Sequence, residues 1–278
     1  MNWRIVSDSS CNIYHLEKND AGIKFSCIPF VVSLDEVDYL DTEDLNVPNL
    51  IDIMDNCKTS VTACSSPGEW LDAFGEEENV VAVTISSKLS GSYNSALAAK
   101  EMALEENPDR KIEIIDSKTA GPEQTMIVEK LQSLITEGLD FDSVVSGIKE
   151  YMKSSHIIFA LSSYGNFVRN GRIPKIAGLV AGNLKLMGIG IGSDEGTVDI
   201  KKITRGSKRV IDFIIKDIKN RSTNCKSVLI AHCQNLDLAE GIKKAVIETV
   251  GNIEVRIMHT RGLCSYYAEK NGVIVGFC

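Results

Sequence analysis

The chain has 278 residues, 44% of them hydrophobic and 24% charged, the balance of a soluble globular protein able to bury one or two cores. Its formal charge of −8 argues against a nucleic-acid partner or stable insertion in an anionic membrane, because both need a basic face. Eight cysteines are scattered without a C-x-x-C pair, and Met1-Asn2-Trp3-Arg4 leads directly into a strand-like run with no signal peptide; the expectation is reduced thiols in a cytoplasmic protein.

In the first half, short apolar runs alternate with helical patterns. Arg4–Ser7 reads as a strand, Asp8–Ser10 as a loop, Tyr14–Asn19 as a short helix, and Phe25–Leu34 as a second strand. Leu45, Leu50, Ile53 and Met54 give Thr42–Asn56 a helical period. Ser66-Pro67-Gly68-Glu69 carries a serine cap, a proline at the first helical position and a glutamate at the third, so a helix starts there. Val80–Ile85 is a β-branched buried-strand run, followed by the polar turn Ser86–Ser92 and a helix over Ser92–Glu105. Lys111–Asp116, Ser117–Gly121 and Glu123–Glu137 repeat strand, polar turn and helix. That repetition predicts a parallel sheet with ligands at the carboxyl ends of its strands.

The second half reads differently. Ile157–Leu161 is a strand, Phe167–Gly171 a turn and Pro174–Met187 a helix with small residues. Short strands at Gly188–Ile191 and Val198–Ile203 flank the turn Ser193–Gly196. Helices over Ser207–Asn220 and Leu236–Val250 alternate with strands at Val228–Ala231, Glu254–Met258 and Val273–Phe277. The fold class is therefore α/β with two domains, residues 1–154 around a parallel sheet and residues 155–278 around a mixed one. The apolar segment Ile176–Gly192 is interrupted by Asn183 and Lys185 and is too short and polar to span a bilayer.

Two hydroxyl-rich turns, Thr62–Pro67 and Ser86–Ser92, would fall on one edge of the parallel sheet, each before a helix. Unpaired backbone N–H groups and hydroxyls there suit a small anion. Serine and threonine also cap helices and fill turns, so Thr62, Ser90 and Ser92 serve either reading, and Gly91 would let backbone approach a ligand. Arg172 and His259 are the candidate positive partners, His259 because it ends a strand before a glycine-containing turn. The alternatives are an enzyme with a Ser90 or Ser92 nucleophile and His259 as base, although the chain has no G-x-S-x-G elbow and no P-loop, or a binder of another small anionic metabolite such as a phosphorylated one. The four histidines lack metal-ligand spacing, so no metal is expected. Gly188-Ile189-Gly190-Ile191-Gly192 superficially suggests a dinucleotide loop, but position 193, where a third glycine is needed, is serine.

Together, Ile5-Val6-Ser7-Asp8-Ser9, Thr62 with Ser66-Pro67-Gly68-Glu69, Ser86–Ala96, Asp116-Ser117, Asn170-Gly171-Arg172-Ile173, the basic stretch Lys201–Arg209 and Ile257-Met258-His259-Thr260 resemble the DegV family, bacterial fatty-acid-binding proteins. The resemblance implies two α/β domains with a long-chain fatty acid buried between them as ligand and no cofactor. It implies that Thr62 and the Ser90-Gly91-Ser92 turn hold the carboxylate, with Arg172 and His259 nearby. It also implies presentation to a fatty acid kinase for acyl-phosphate formation, with Arg205 on the partner-facing surface. The chain departs from the family's pattern at Ala63-Cys64-Ser65, at Asn170 before Gly171, and at Arg261-Gly262-Leu263-Cys264, where the family has a glycine- and proline-rich turn. The apolar part of Ile176–Gly192 offers either a wall for the tail or ordinary helix packing.

Overall fold

The structure is a computed structural model that describes residues 2–17, 22–174, 186–222, 225–251 and 253–278. Strand β1 (Trp3–Asp8) opens the chain. Tyr14–Glu17 are not helical, and 18–19 lie outside the described residues. The run expected as one strand from Phe25 to Leu34 is two, β2 (Lys24–Ile28) and β3 (Val31–Leu34), separated at Pro29, which has no N–H to continue a ladder. β3 returns as β4 (Val37–Leu40) through Asp35 and Glu36, both at positive φ (46° and 71°), the handedness a tight two-residue hairpin requires. Helix α1 (Val47–Met54) is shorter than predicted and starts at the Asn46 cap. β5 (Ser60–Ala63) completes the small antiparallel sheet β4-β3-β5.

Helix α2 (Pro67–Phe74) has the predicted capping box, with Ser66 and Glu69 satisfying each other's backbone N–H groups. There follow β6 (Asn79–Thr84), α3 (Ser92–Glu106), β7 (Lys111–Asp116), α4 (Gly121–Thr136) and α5 (Phe141–Met152); sequence reasoning missed α5. The sheet β2-β1-β6-β7 is parallel throughout. Ile5, Val81 and Val83 pack on one face against Ile127, Leu131, Val144 and Ile148. Val6, Val80 and Ala82 pack on the other against Trp70, Phe74, Ala96 and Ala99. Helices on both faces explain why the strand at Val80–Val83 is apolar at every position instead of alternating.

The C-terminal half contains β8 (His156–Leu161), α6 (Gly165–Arg169), β9 (Leu186–Gly192), β10 (Val198–Arg205), α7 (Ser207–Arg221), β11 (Ser227–His232), α8 (Leu236–Val250), β12 (Glu254–His259), α9 (Gly262–Ala268) and β13 (Val273–Phe277). Helix α6 covers part of the predicted turn Phe167–Gly171, and α9 was not foreseen. Residues 175–185 of the predicted helix Pro174–Met187 lie outside the described residues, while Leu186 and Met187 belong to β9. The sheet runs β10-β9-β8-β13-β11-β12 and is mixed, with only β11 and β12 parallel. Its two faces have different tasks. Ile158 and Ala160 pack with Val210, Ile214, Leu238 and Ile242 of α7 and α8. Ile157, Phe159 and Leu161 point the other way and join Tyr164, Phe167 and Ile274. Helix α4 packs on β13 and β11, and Arg256 forks onto Glu129 at 2.8 and 2.5 Å, joining β12 to α4 across the two halves.

The glycines of Gly188–Gly192 are explained by packing. A Cβ on Gly188 would lie 2.6 Å from Cε2 of the fully buried Tyr164, and one on Gly190 would lie 2.9 Å from its hydroxyl. The alternation clears one face of β9 for a tyrosine ring and forms a strand, not a phosphate loop.

Candidate functional site

A cavity lies where the two halves meet, walled by residues of both. Most of its wall is apolar. Phe159 and Leu161 of β8, Phe167 of α6, Leu263 and Ala268 of α9 and Ile274 of β13 come from the C-terminal half, and Phe30, Ile85, Leu89 and Ala120 from the N-terminal half. The polar liners are Ser10, Thr62, Ser90, Arg172, Cys264 and Tyr267.

Thr62 lies on strand β5, not in a pre-helical turn, and its Oγ1 is 2.8 Å from the Tyr267 hydroxyl. Ser90 precedes Gly91, the N-cap of α3, and its Oγ accepts from Ser92 N at 3.2 Å. Arg172 reaches across from the C-terminal half: its Nε donates to Leu89 O at 3.0 Å, and its Nη1 donates to Asn170 O. Among the described residues no carboxylate pairs with this guanidinium. Burial pushes the Tyr267 phenol up, against the lowering effects of Thr62 and the Arg172 charge, so at neutral pH it is a protonated donor. One cation and four hydroxyls therefore border an otherwise apolar chamber. That combination suits an amphiphile, with an anionic head at the polar border and a hydrocarbon tail against the aromatic and aliphatic wall.

Of the predicted site residues, Thr62, Ser90 and Arg172 line the cavity, and Gly91, Ser92 and His259 do not. Gly91 is exposed, with an ordinary φ of −74°. Ser92 is fully buried and its hydroxyl donates to Asp8 Oδ2 at 2.7 Å, a structural bond beneath the turn. His259 is exposed at the end of β12, its ring centroid 4.5 Å from that of His232, in a separate recess shared with Tyr14 and Arg261. Burial, and then the neighbouring His259, lower the pKa of His232. Among the described residues no hydrogen bond joins His259 to Ser90 or Ser92, so the arrangement holds no assembled serine–histidine pair. Arg205 is exposed at the last position of β10, outside the cavity wall.

Tyr267 is the site residue that sequence reasoning missed. Its only signal is a Tyr-Tyr pair a few residues beyond His259-Thr260, which belongs to no motif. The unusual turn at Arg261 explains how it is held. The Arg261 guanidinium, 3% exposed as a residue, lies 3.8 Å over the Tyr14 ring and donates to Ile13 O and Asp41 O at 2.6 Å each. The Asp41 carboxylate in turn accepts from Gly262 N at 2.8 Å and Leu263 N at 2.9 Å, capping α9. Helix α9 presents Leu263, Cys264, Tyr267 and Ala268 to the cavity, so the Asp41–Arg261 pair sets that wall. Among the described residues no group of three or more His, Cys, Asp or Glu could hold a metal ion, and no helix is long and apolar enough to cross a membrane.

Comparison with known proteins places the sequence and the fold. The sequence profile of the DegV family, described as uncharacterised proteins, matches residues 2–277. A DegV domain-containing protein of Streptococcus pyogenes serotype M18 is 34% identical over 278 residues, covering 100% of this chain and 99% of its own. The crystal structure of the B3 protein of Streptococcus pneumoniae fatty acid kinase, loaded with linoleic acid, superposes with a TM-score of 0.96 at 33% identity, covering 100% of this chain and 99% of that one. A DegV family protein from Eubacterium eligens, loaded with heptadecanoic acid, gives 0.94 at 34% identity, covering 99% and 98%. The resemblance read from the motifs is borne out, as is the fold of parallel and mixed sheets: this chain is a member of the DegV family.

Proposed function

We propose that this protein is a cytoplasmic carrier that binds one long-chain fatty acid between two domains dividing near Ser154, and performs no chemistry alone. The observation that carries the proposal is the apolar chamber with Arg172, which has no carboxylate partner among the described residues, and the hydroxyls of Thr62, Tyr267 and Ser90 gathered at its polar border. The fatty acids bound by the two relatives at 33% and 34% identity support it. Removing about fourteen methylenes from water is worth about 11 kcal/mol at ~0.8 kcal/mol each, ample for tight binding before association costs. The carboxylate takes its place beside Arg172, because an unpartnered buried charge would cost several kcal/mol. Ser92, Gly91 and His259 support the turn and the strand end instead of touching the ligand, and no cofactor is required.

The relative from a fatty acid kinase also supports a kinase partner that phosphorylates the bound carboxyl, with the exposed Arg205 on the contacting face. Native mass spectrometry of the purified protein, followed by extraction, should release near-stoichiometric fatty acid. A lipid-free protein that also refuses added palmitate would end the proposal.

A further inference from the structure

The segment directly under the cavity's polar border carries a carboxylic acid that neither the ligand reading nor the fold requires to be charged. Asp8, Ser10, Ser92 and Gln124 are each fully buried. Asp8 Oδ2 accepts from Ile85 N at 2.8 Å and from Ser92 Oγ at 2.7 Å. Asp8 Oδ1 lies 2.7 Å from Ser10 Oγ and 3.0 Å from Gln124 Nε2, and Ser10 Oγ also contacts Gln124 Oε1. Ser10 and Ile85 both line the cavity, so this cluster is its floor.

Counting protons decides its charge. Gln124 Nε2 faces Ser7 Oγ at 3.0 Å and Val83 O at 3.4 Å, and Ser7 spends its own proton on Val83 O at 3.0 Å. With its proton on Val83 O, Ser7 Oγ can only accept from the Gln124 amide, so the amide nitrogen lies on that side, its second proton facing Asp8 Oδ1, and the carbonyl oxygen faces Ser10. Ser10 then meets two acceptors, Gln124 Oε1 and Asp8 Oδ1, with one hydroxyl proton. The missing proton must come from Asp8.

We propose that Asp8 is a neutral carboxylic acid whose Oδ1–H donates to Ser10 Oγ, while Ser10 donates to Gln124 Oε1, and that this keeps the cavity floor free of negative charge so that an anionic head group can settle above it. The surroundings agree. Among the described residues no cation bonds or ion-pairs with Asp8. Two thiols lie near it, Cys11, pushed up by burial to about 11, and Cys264 of α9, also pushed up by burial. The nearby α4 carboxyl, Glu123, is turned to Thr119 and Ser155. Burial raises the Asp8 pKa against the hydrogen bonds that would lower it. Ser10, though on the wall, is thereby committed to the relay and is not a ligand donor.

The inference rests on the fatty-acid reading only for its purpose, and the test separates the two. The Asp8 side-chain carboxyl, ¹³C-labelled and assigned by its loss in Asp8→Asn or by through-bond correlation in the parent, is followed from pH 5 to 9 in lipid-stripped and palmitate-loaded protein. The expected result is the resonance of a protonated acid at pH 7 in both forms, and Asp8→Asn binding palmitate within about threefold of the parent, since replacing one neutral group by another leaves the charge beneath the head group unchanged. A carboxylate resonance at pH 7, or Asp8→Asn binding more than about tenfold tighter through loss of a like charge, overturns it. If the parent binds no palmitate, the carrier reading fails, while the stripped protein's resonance still decides the proton.

Discussion

The two walls of the cavity reach their chemistry by different routes. The N-terminal wall draws its hydroxyls from the turns after parallel strands, where Ser10 and Ser90 stand, and from the edge strand β5 of the small antiparallel sheet, which carries Thr62. The C-terminal wall is chiefly one face of an antiparallel region of the mixed sheet and the short helix α9, where Phe159, Leu161 and Ile274 stand at alternate strand positions. A turn offers direction and polarity; a sheet face offers area. The difference predicts that wounds to the C-terminal wall damage folding and binding together, whereas wounds to the N-terminal wall can separate them.

The largest effect is expected on the sheet face. Phe159→Ala removes a ring that packs edge-on against Phe167, 6.4 Å between centroids, and should lower unfolding stability in urea by about 3–5 kcal/mol as well as weaken lipid binding. A stable variant with parental affinity would mean that this face is not a wall.

Arg172→Ala comes next. Loss of the charged partner should weaken fatty acid binding about 10- to 100-fold, from ~1.5–3 kcal/mol for a charge-assisted bond, with a small change in stability. Calorimetry against palmitate reads it directly, and unchanged affinity would place the head group elsewhere.

Ser92→Ala sharpens the comparison within one turn. It leaves Asp8 Oδ2 with only the Ile85 N–H, so stability should fall by about 1–3 kcal/mol while affinity shifts little. Thr62→Val, an isosteric change, should do the reverse: about 1 kcal/mol or less of stability, and a several-fold weaker ligand, because only the Tyr267 bond and a donor are lost. Identical phenotypes for the two variants would erase the distinction drawn between them.

The smallest effect lies far from the cavity. Burial alone would raise the Glu77 carboxyl, but hydrogen bonds from Arg4 and Lys24 and the Arg4 charge outweigh it and lower the value to about 2. A lowered folded-state value means stability that is present above the unfolded carboxylate range near pH 4.5 and lost as pH falls towards 2. Glu77→Gln should therefore be less stable than the parent at pH 7, and the gap should close across that window in acid unfolding curves.

Much of the fold was legible because strand and helix patterns differ strongly here. The capping box at Ser66–Glu69, the apolar run before Ser86 and helix α8 are set by local residues, and each stands where local chemistry put it. Helix α5, capped by Asp140, was passed over although Phe141, Val144, Ile148 and Met152 recur at helical spacing; Ser143, Ser146 and Gly147 between them blur the pattern. The hairpin at Asp35-Glu36 lacks the usual glycine or asparagine. At the site, motif spacing located the turn but could not say which hydroxyl points where. Ser90 and Ser92 stand two apart at the start of a helix, and only the buried Asp8, 84 positions from Ser92, determines that the second faces inward. Tyr267 and the Asp41–Arg261 pair were illegible for the same reason, since their meaning lies in partners distant along the chain.

The bond from Arg172 Nε to Leu89 O ties a side chain of one half to the backbone of the other, immediately beside Ser90. The grip is thus a hasp and not a fixed hook: where the counter-charge stands beside the hydroxyl turn depends on how the two halves are held against each other.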